Sequence, residues 1–238
     1  MVKTGKLHES LAAYADVHRG YLTDGFSIVS MDDVPPFQES ERHVEISAVE
    51  RYPHGLKYLL EATKSISMSD DSHVSCLSDL SYLDVLEECK LQRCHRMVLV
   101  FNHSFYNLGL TLKNAHVSHL KSLTHFYKDR DYDVDFRGLK HLRLEHCPRL
   151  EGVMPRGSAL PSLVTLDILF CYNLKAIFYY NSESSSSFEL PCLRRIHLQE
   201  LPLLEHLRDD DDDILAAPAW EELHVRGCWS LRRLPRLD

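Results

Sequence analysis

The residues of this sequence that could do chemistry are chiefly its thiols and imidazoles, seven cysteines and 15 histidines in 238 residues. Four of the cysteines, Cys94, Cys147, Cys171 and Cys228, are separated by 53, 24 and 57 residues, unlike the short paired spacings of zinc modules. A cysteine nucleophile would also need an activating base, and no sequence feature supplies one. We therefore expect neither a metal nor any other cofactor, and interpret these cysteines as small, soft residues packed at a turn.

The segment His141–His146, HLRLEH, superficially resembles a metalloprotease motif. It satisfies neither H-E-x-x-H nor H-x-x-E-H, because its spacing is one residue too long. No other arrangement of acid, base and nucleophile stands out in the sequence. We therefore expect a protein that is not an enzyme.

A repeat explains the cysteines better than catalysis does. In the segment 139–153 apolar residues fall at offsets 0, 3, 5, 8, 11 and 14, and the same offsets recur in copies beginning near residues 63, 86, 112, 163, 193 and 220. All of these positions except Thr63 and Asp71 are apolar, although only 44% of the chain is hydrophobic. The copies begin 23 to 30 residues apart, close to the roughly 20–29 residues of leucine-rich repeats.

The offsets predict how each repeat folds. Offsets 3 and 5 share one face of a strand and point into the core, so offsets 2, 4 and 6 point out onto a concave face. Offset 8 turns the chain inward, and offsets 11 and 14 pack on the far side. The predicted fold is an α/β leucine-rich-repeat solenoid, or horseshoe, with short parallel strands on the concave face and irregular loops or short helices on the convex face.

The repeats divide the chain into a leucine-rich-repeat domain at 56–238 and a less readable segment at 1–55. The first 55 residues are either degenerate earlier repeats or an N-terminal cap, although 42–46 alternates like a strand. A serine-rich stretch at 181–187 and an acidic run at Asp209–Asp213 are expected to be loops with no role beyond solubility. Stacking would bring Cys147 and Cys171 close to disulfide distance, but a reducing compartment argues against that bond.

Composition indicates which classes of partner the protein binds and in which cellular compartment it resides. The formal net charge of −8 gives no basic excess, so we do not expect nucleic acid as a partner. No apolar run is long enough to cross a bilayer, and the N-terminus lacks the apolar stretch of a secretory signal. Together with the odd number of scattered cysteines, this predicts a cytoplasmic protein with reduced thiols and no membrane association.

The outward-facing offsets supply the candidate site, a concave face that binds protein. Its basic residues and nearby histidines form a mildly basic stripe, which we expect to meet an acidic surface. The candidate partner-binding residues, called here the concave set, are Lys90, His116, His141, Arg143, Glu145, Asp167, Arg195, His197, Glu222, His224 and Arg226.

The repeat phrases carry a family resemblance. LKHLRLEHCPRLEGV at 139–153, LVTLDILFCYNLKAI at 163–177 and WEELHVRGCWSLRRL at 220–234 resemble the C-terminal leucine-rich repeats of plant nucleotide-binding disease-resistance proteins, particularly those of cereals. The resemblance implies intracellular pathogen sensing, in which the repeats bind a pathogen effector or a guarded host protein. It also implies autoinhibition through the receptor's own nucleotide-binding domain.

The sequence departs from that family in two ways. It lacks the phosphate-binding loop G-x-x-x-x-G-K-[ST], to which Gly5–Leu7 is the nearest approach, so we do not expect ATP binding by that route. It also ends after a repeat without a polar cap, which predicts an exposed apolar edge. Both departures lead us to expect a fragment, a truncated gene product or a degenerate family member.

The alternative function is a stand-alone leucine-rich-repeat adaptor, such as the substrate-binding module of a ubiquitin ligase. Such adaptors usually carry a regular convex helix, whereas the segments between these repeats look irregular. A solenoid fold does not by itself fix the function, so the choice between the two rests on family analogy.

Overall fold

The computed structural model describes residues 2–4, 42–47, 52, 56–80, 83–102, 108–128, 135–155, 157–179, 190–208 and 217–232. The serine-rich stretch at 181–187, the acidic run Asp209–Asp213 and most of residues 1–55 lie outside the described residues. The expectations for those segments remain predictions.

One long sheet runs through the described part of the chain. It contains nine strands in the order β1-β2-β3-β4-β6-β8-β10-β12-β14, parallel throughout except for the antiparallel pair β1 and β2. Its strands are β1 Val2–Thr4, β2 His43–Ser47, β3 Ser65–Ser69, β4 Glu88–Gln92, β6 Asn114–Ser118, β8 His141–Glu145, β10 Thr165–Leu169, β12 Arg195–Gln199 and β14 Glu222–Arg226.

The strand positions confirm the predicted solenoid. In each of the seven predicted repeats the strand occupies offsets 2 to 6, and equivalent residues pair in register, as Leu142 does with Leu166. The side chains at offsets 3 and 5 are buried from β3 to β12, and the inward positions of neighbouring repeats join in one core. β2 continues the same parallel series, because Val44 pairs with Ile66.

Where the structure describes the convex side, it is built mainly of short strands. β5 Leu99–Phe101 pairs with β7 His125–Tyr127, and β11 Ala176–Tyr179 pairs with β9 Met154–Pro155 and β13 His206–Arg208. The helices described are α1 Leu56–Glu61, α2 Leu108–Thr111 and a 3-10 turn at Leu77–Asp79. Within the described residues, no helix is long and apolar enough to span a membrane. Strands of two to four residues are too short to produce an alternating pattern, which is why the sequence did not predict them.

Each repeat leaves its strand through a residue with left-handed backbone. Every residue at offset 7 has a positive φ, from 52° at His146 and Glu200 to 66° at Gly227. This conformation lets the offset-7 N–H donate to the offset-6 carbonyl of the next repeat, as His146 N does to Leu169 O at 3.0 Å and Phe170 N does to Gln199 O at 2.8 Å. The left-handed residue at offset 7 therefore adds one backbone hydrogen bond between each pair of repeats in which it occurs.

The two polar exceptions to the repeat pattern are buried and hydrogen-bonded. The Thr63 hydroxyl donates to the Leu59 carbonyl at 2.7 Å. Asp71 Oδ1 accepts the backbone N–H groups of His73 and Val74, both at 2.9 Å, and its other oxygen accepts the Tyr52 hydroxyl. These bonds offset the cost of burying the polar groups, so the solenoid tolerates both residues.

The last described strand is less covered than the others. Leu223 is only partly buried, and Val225 is 38% exposed, whereas the residues at the same offsets in β12 are buried. β14 pairs with a neighbour on one side only among the described residues, and each repeat buries its apolar face against the next.

Candidate protein-binding face

All members of the concave set lie on the outward face of the long sheet, on strands β4, β6, β8, β10, β12 and β14. The sheet register brings them together in rows across the repeats. In the offset-4 row, His116 pairs with Arg143, Arg143 with Asp167, Asp167 with His197 and His197 with His224. Neighbouring strands of a sheet are about 4.8 Å apart, so these side chains lie within reach of one another.

The centre of this face is a charge network around Glu145. Its Oε1 lies 3.0 Å from His116 Nε2, while its Oε2 accepts Arg143 Nη2 at 2.9 Å and Nε at 3.2 Å. Arg143 Nη1 also lies 3.8 Å from Asp167 Oδ2. One guanidinium group therefore bridges two carboxylates on adjacent strands.

The two carboxylates respond differently to these surroundings. Burial alone would raise the pKa of Glu145, but the hydrogen bonds and charges of His116 and Arg143 hold this pKa well below its usual range. Burial raises the pKa of Asp167, because the more distant Arg143 and Arg195 compensate only in part. Glu145 is thus a fixed negative charge at the centre of the face.

A second network lies toward β14. Arg195 Nε donates to Glu222 Oε2 at 2.8 Å, and His224 Nε2 lies 2.6 Å from Glu222 Oε1. The rings of His197 and His224 meet edge to face with centroids 5.7 Å apart. Burial, followed by the neighbouring charges of His224, Arg143 and Arg195, lowers the pKa of His197.

Two further side-chain contacts on this face link neighbouring strands, β8 with β10 and β4 with β6. His141 Nδ1 lies 2.9 Å from Thr165 Oγ1, and Asn114 donates to Glu88 at 2.9 Å. Burial lowers the pKa of Lys90, although the charges of Glu145 and Glu45 oppose that change.

The network changes how the predicted basic stripe is understood. Arg143 and Arg195 each hold a carboxylate of the same face, so their charges are already partly compensated. Within the concave set, Glu145 contacts His116 and Arg143, and Glu222 contacts Arg195 and His224. The face is thus polar and pre-paired, with Arg226 as an exposed cation at the β14 edge.

Sequence reasoning missed the part of this face supplied by β2. His43 Nδ1 lies 3.0 Å from Ser65 Oγ, and Glu45 stands beside Ser67 in the sheet register. The available signal was the repeat pattern itself, because Val44, Ile46, Val49 and Tyr52 fall at offsets 3, 5, 8 and 11 of a copy beginning at Glu41, although Glu41 and Gly55 break offsets 0 and 14.

The cysteines at offset 8 pack at the turn that follows each strand. The thiols of Cys147 and Cys171 donate to the carbonyls of Glu145 and Leu169, both at 3.4 Å, and all seven cysteines of the chain are free thiols. Burial raises the pKa of the Cys94 thiol to about 12, and a hydrogen bond with Cys147 together with burial raises the pKa of Cys171. Such thiols are poor nucleophiles at neutral pH.

Comparison with known proteins relates these repeats to plant disease resistance. Residues 156–235 match the protein family described as "Plant disease resistance protein RPS2-like, leucine-rich repeats". A stretch of 149 residues, 60% of this chain, is 28% identical to the "Putative disease resistance protein At4g19050" of Arabidopsis thaliana, and it spans 12% of that protein's length. No solved structure matches the chain. The repeats are therefore leucine-rich repeats similar to those of plant disease resistance proteins.

Proposed function

We propose that this chain is the protein-recognition and autoregulatory leucine-rich-repeat domain of an intracellular plant immune receptor of the cereal type. It binds a pathogen effector, a guarded host protein or the receptor's own nucleotide-binding domain through the concave face. The observation that carries the proposal is the pre-paired polar face of the eight parallel strands, on repeats similar to those of disease resistance proteins.

The size and rigidity of this face suit a protein partner. Eight strands of five residues cover about 34 Å by 16 Å, or roughly 550 Å², at the usual strand spacing and rise. A standard interface buries about 800 Å² per partner, so the face together with its rim is of that size. Because Arg143 and Arg195 are already held by carboxylates, they lose little side-chain freedom on binding.

The convex side supports this function over the stand-alone adaptor. Short strands such as β7 and β11 occupy the positions where adaptors usually carry a regular helix. The seven free cysteines agree with residence in the reducing cytoplasm.

The proposal predicts that Lys90 and Arg226, the first and last cations of the concave set, are needed for defence. The test is complementation of a plant in which the gene is disrupted, scored as the growth of a panel of pathogen isolates. The test variant carries Lys90→Glu and Arg226→Glu, which reverse charge on the face without breaking the Arg143–Glu145 contact. The matched control carries Lys57→Glu and Lys175→Glu, two exposed lysines away from the long sheet's strands.

We expect the wild type and the control to restore resistance and the concave variant to fail at equal protein abundance. Charge reversal at an interface acts on both the encounter rate and the specificity, so a loss of about tenfold in partner binding is expected. Full restoration by the concave variant would contradict recognition through this face. Unchanged growth of every isolate in the disrupted plant would contradict a role in defence.

A further inference from the structure

A tight turn follows the left-handed residue in six of the seven repeats, those beginning near residues 86 to 220. The N–H at offset 11 donates to the carbonyl at offset 8, for example from Leu150 to Cys147 at 3.1 Å and from Leu204 to Leu201 at 3.2 Å. The residues at offsets 8 and 11 are buried in these repeats, so the two residues between them are directed toward solvent.

Stacking of the repeats aligns these turns into one line, called here the turn ridge. Six repeats contribute two residues each, and at about 4.8 Å per repeat the ridge is about 24 Å long. Its residues are His95, Arg96, Lys121, Ser122, Pro148, Arg149, Tyr172, Asn173, Pro202, Leu203, Trp229 and Ser230.

The composition of the turn ridge differs from that of the chain. None of its residues is acidic, although the chain has 35 acidic and 27 basic residues. One half of the ridge carries the exposed cations Arg96, Lys121 and Arg149. The other half carries exposed apolar side chains, with Tyr172 48%, Leu203 43% and Trp229 84% exposed.

Within the described part of the chain, neither the exposed apolar side chains nor the cations of the ridge make contacts that would explain them as contributors to folding stability. Trp229 buries little surface, Tyr172 and Leu203 leave almost half of theirs exposed, and adjacent apolar side chains on a surface often mark a binding site. No ion pair among the described residues involves Arg96, Lys121 or Arg149, in contrast to the paired arginines of the concave face. Tyr172 and Leu203, which have a repeat on each side, remain 48% and 43% exposed, so stacking leaves this part of the ridge accessible.

We propose that the turn ridge is a second binding surface, separate from the concave face, for an extended acidic segment of another protein that carries apolar residues at one end. At about 3.3 Å per residue, 24 Å accommodates about seven extended residues. About four acidic residues would lie along Arg96, Lys121 and Arg149, and about three apolar residues would lie against Tyr172, Leu203 and Trp229.

The arrangement favours a peptide over single-stranded nucleic acid. Nucleic-acid surfaces combine a cationic groove with aromatic rings on which successive bases stack. Here the aromatic residues follow the cations along the ridge instead of alternating with them. Tryptophan, tyrosine and arginine are also the residues most enriched at protein-binding hot spots.

The test uses the full chain and a synthetic probe. The probe is a fluorescent peptide of four alternating glutamate and aspartate residues followed by two leucines and a phenylalanine, together with its reversed sequence, since the structure does not fix the direction of binding. Fluorescence anisotropy measures its affinity at low and high salt. A peptide with lysines in place of the acids and a single-stranded oligonucleotide are the comparison probes.

Matched variants distinguish the two halves of the ridge. We expect Trp229→Ala to weaken binding by about tenfold or more, and Lys121→Glu with Arg149→Glu to weaken it by a similar factor and to reduce its salt dependence. Leu110→Ala and Lys175→Glu, at exposed positions off the ridge, should leave the affinity unchanged. Tyr172→Ala tests the apolar half at a second position, and we expect it to weaken binding as Trp229→Ala does. A thermal unfolding curve for each variant shows whether a loss of binding comes from a folding defect.

Several outcomes would overturn the proposal. They are no binding of either peptide direction by the wild type, equal binding of the lysine peptide, tighter binding of the oligonucleotide, or equal losses from the control variants. This measurement on the purified chain is independent of pathogen growth and of the concave variants. Its failure would leave the proposed immune function standing, and failure of that function would leave the ridge standing.

Discussion

Burial and pairing determine the charge state of individual residues on this solenoid. Glu145 keeps its charge because His116 and Arg143 contact it closely, while Asp167, held less closely, has a raised pKa. The same reasoning applies to the offset-8 cysteines, whose thiols bond to carbonyl oxygens of their own turn. The chemistry-bearing residue types of this chain are thus used mainly for packing and for charge pairing.

His125 gives a pH-dependent prediction at the residue scale. Its side chain is 6% exposed on β7 and meets the Tyr179 ring with centroids 5.0 Å apart. Burial, with the charge of Lys128, lowers its pKa from 6.5 to about 4. The unfolded chain therefore binds more protons at this residue between those pH values, and stability is lost as the pH falls through that interval.

The substitution His125→Phe keeps a ring against Tyr179 and removes the titrating group. We expect the free energy of unfolding to fall less on acidification than in the wild type, by about 2 kcal/mol between pH 6.5 and 4, with no difference in slope above about pH 7.5. Urea unfolding at a series of pH values measures this. Tyr127→Phe on the same strand is the control for packing changes, and parallel curves for wild type and His125→Phe would refute the prediction.

At the scale of the structural element, the left-handed residue at offset 7 organises each repeat. Six of the seven are not glycine, and five of these six contact a neighbouring one along the stack. Asp70 pairs with Arg93 in a two-bond ion pair, and the His146 ring stacks between those of His119 and Phe170 at centroid distances of 4.5 and 4.6 Å. These contacts offset the cost of the left-handed backbone, about 1–2 kcal/mol per residue.

A pair of variants at His119 separates the backbone requirement from the ring stacking. His119→Asn and His119→Val both lose the stack on His146, but asparagine tolerates a φ of 58° whereas a branched valine does not. We expect the valine variant to be less stable than the asparagine variant by about 1–2 kcal/mol in chemical denaturation. Equal stabilities would show that the turn can adopt another backbone conformation.

At the scale of the whole molecule, stability is shared between neighbouring repeats. A residue in the middle of the stack is covered from both sides, whereas β14 has one paired neighbour among the described residues. Valine occupies offset 5 in both situations, at Val117, which is 0% exposed, and at Val225, which is 38% exposed.

These two valines test how stability is distributed. We expect Val117→Ala to cost about 2 kcal/mol of unfolding free energy, because it removes buried methyl groups and leaves a cavity. Val225→Ala should cost less than about 0.5 kcal/mol, since its side chain is already partly in solvent. Urea unfolding of both variants measures these changes. A large loss of unfolding free energy in Val225→Ala would mean that β14 is covered in solution.

The sequence by itself determined the solenoid, the position of every strand from β3 to β14 in the long sheet, and the membership of the concave set. The physical reason is that apolar offsets 3 and 5 report burial on one face of a strand, and this signal is local and repeated. The repeat pattern around β2 is weaker, because Glu41 and Gly55 stand at its offsets 0 and 14, although Val44, Ile46, Val49 and Tyr52 fit the remaining offsets.

Only the tertiary structure decided which residues meet across repeats. Arg143 pairs with Glu145 and Asp167, and His119 stacks on His146, through contacts that depend on the register between neighbouring repeats. Repeats of 23 to 30 residues place no fixed sequence distance between such partners, so spacing alone cannot identify them. The pairing of the concave arginines and the alignment of the turn ridge both follow from that register, which forms only when the repeats stack.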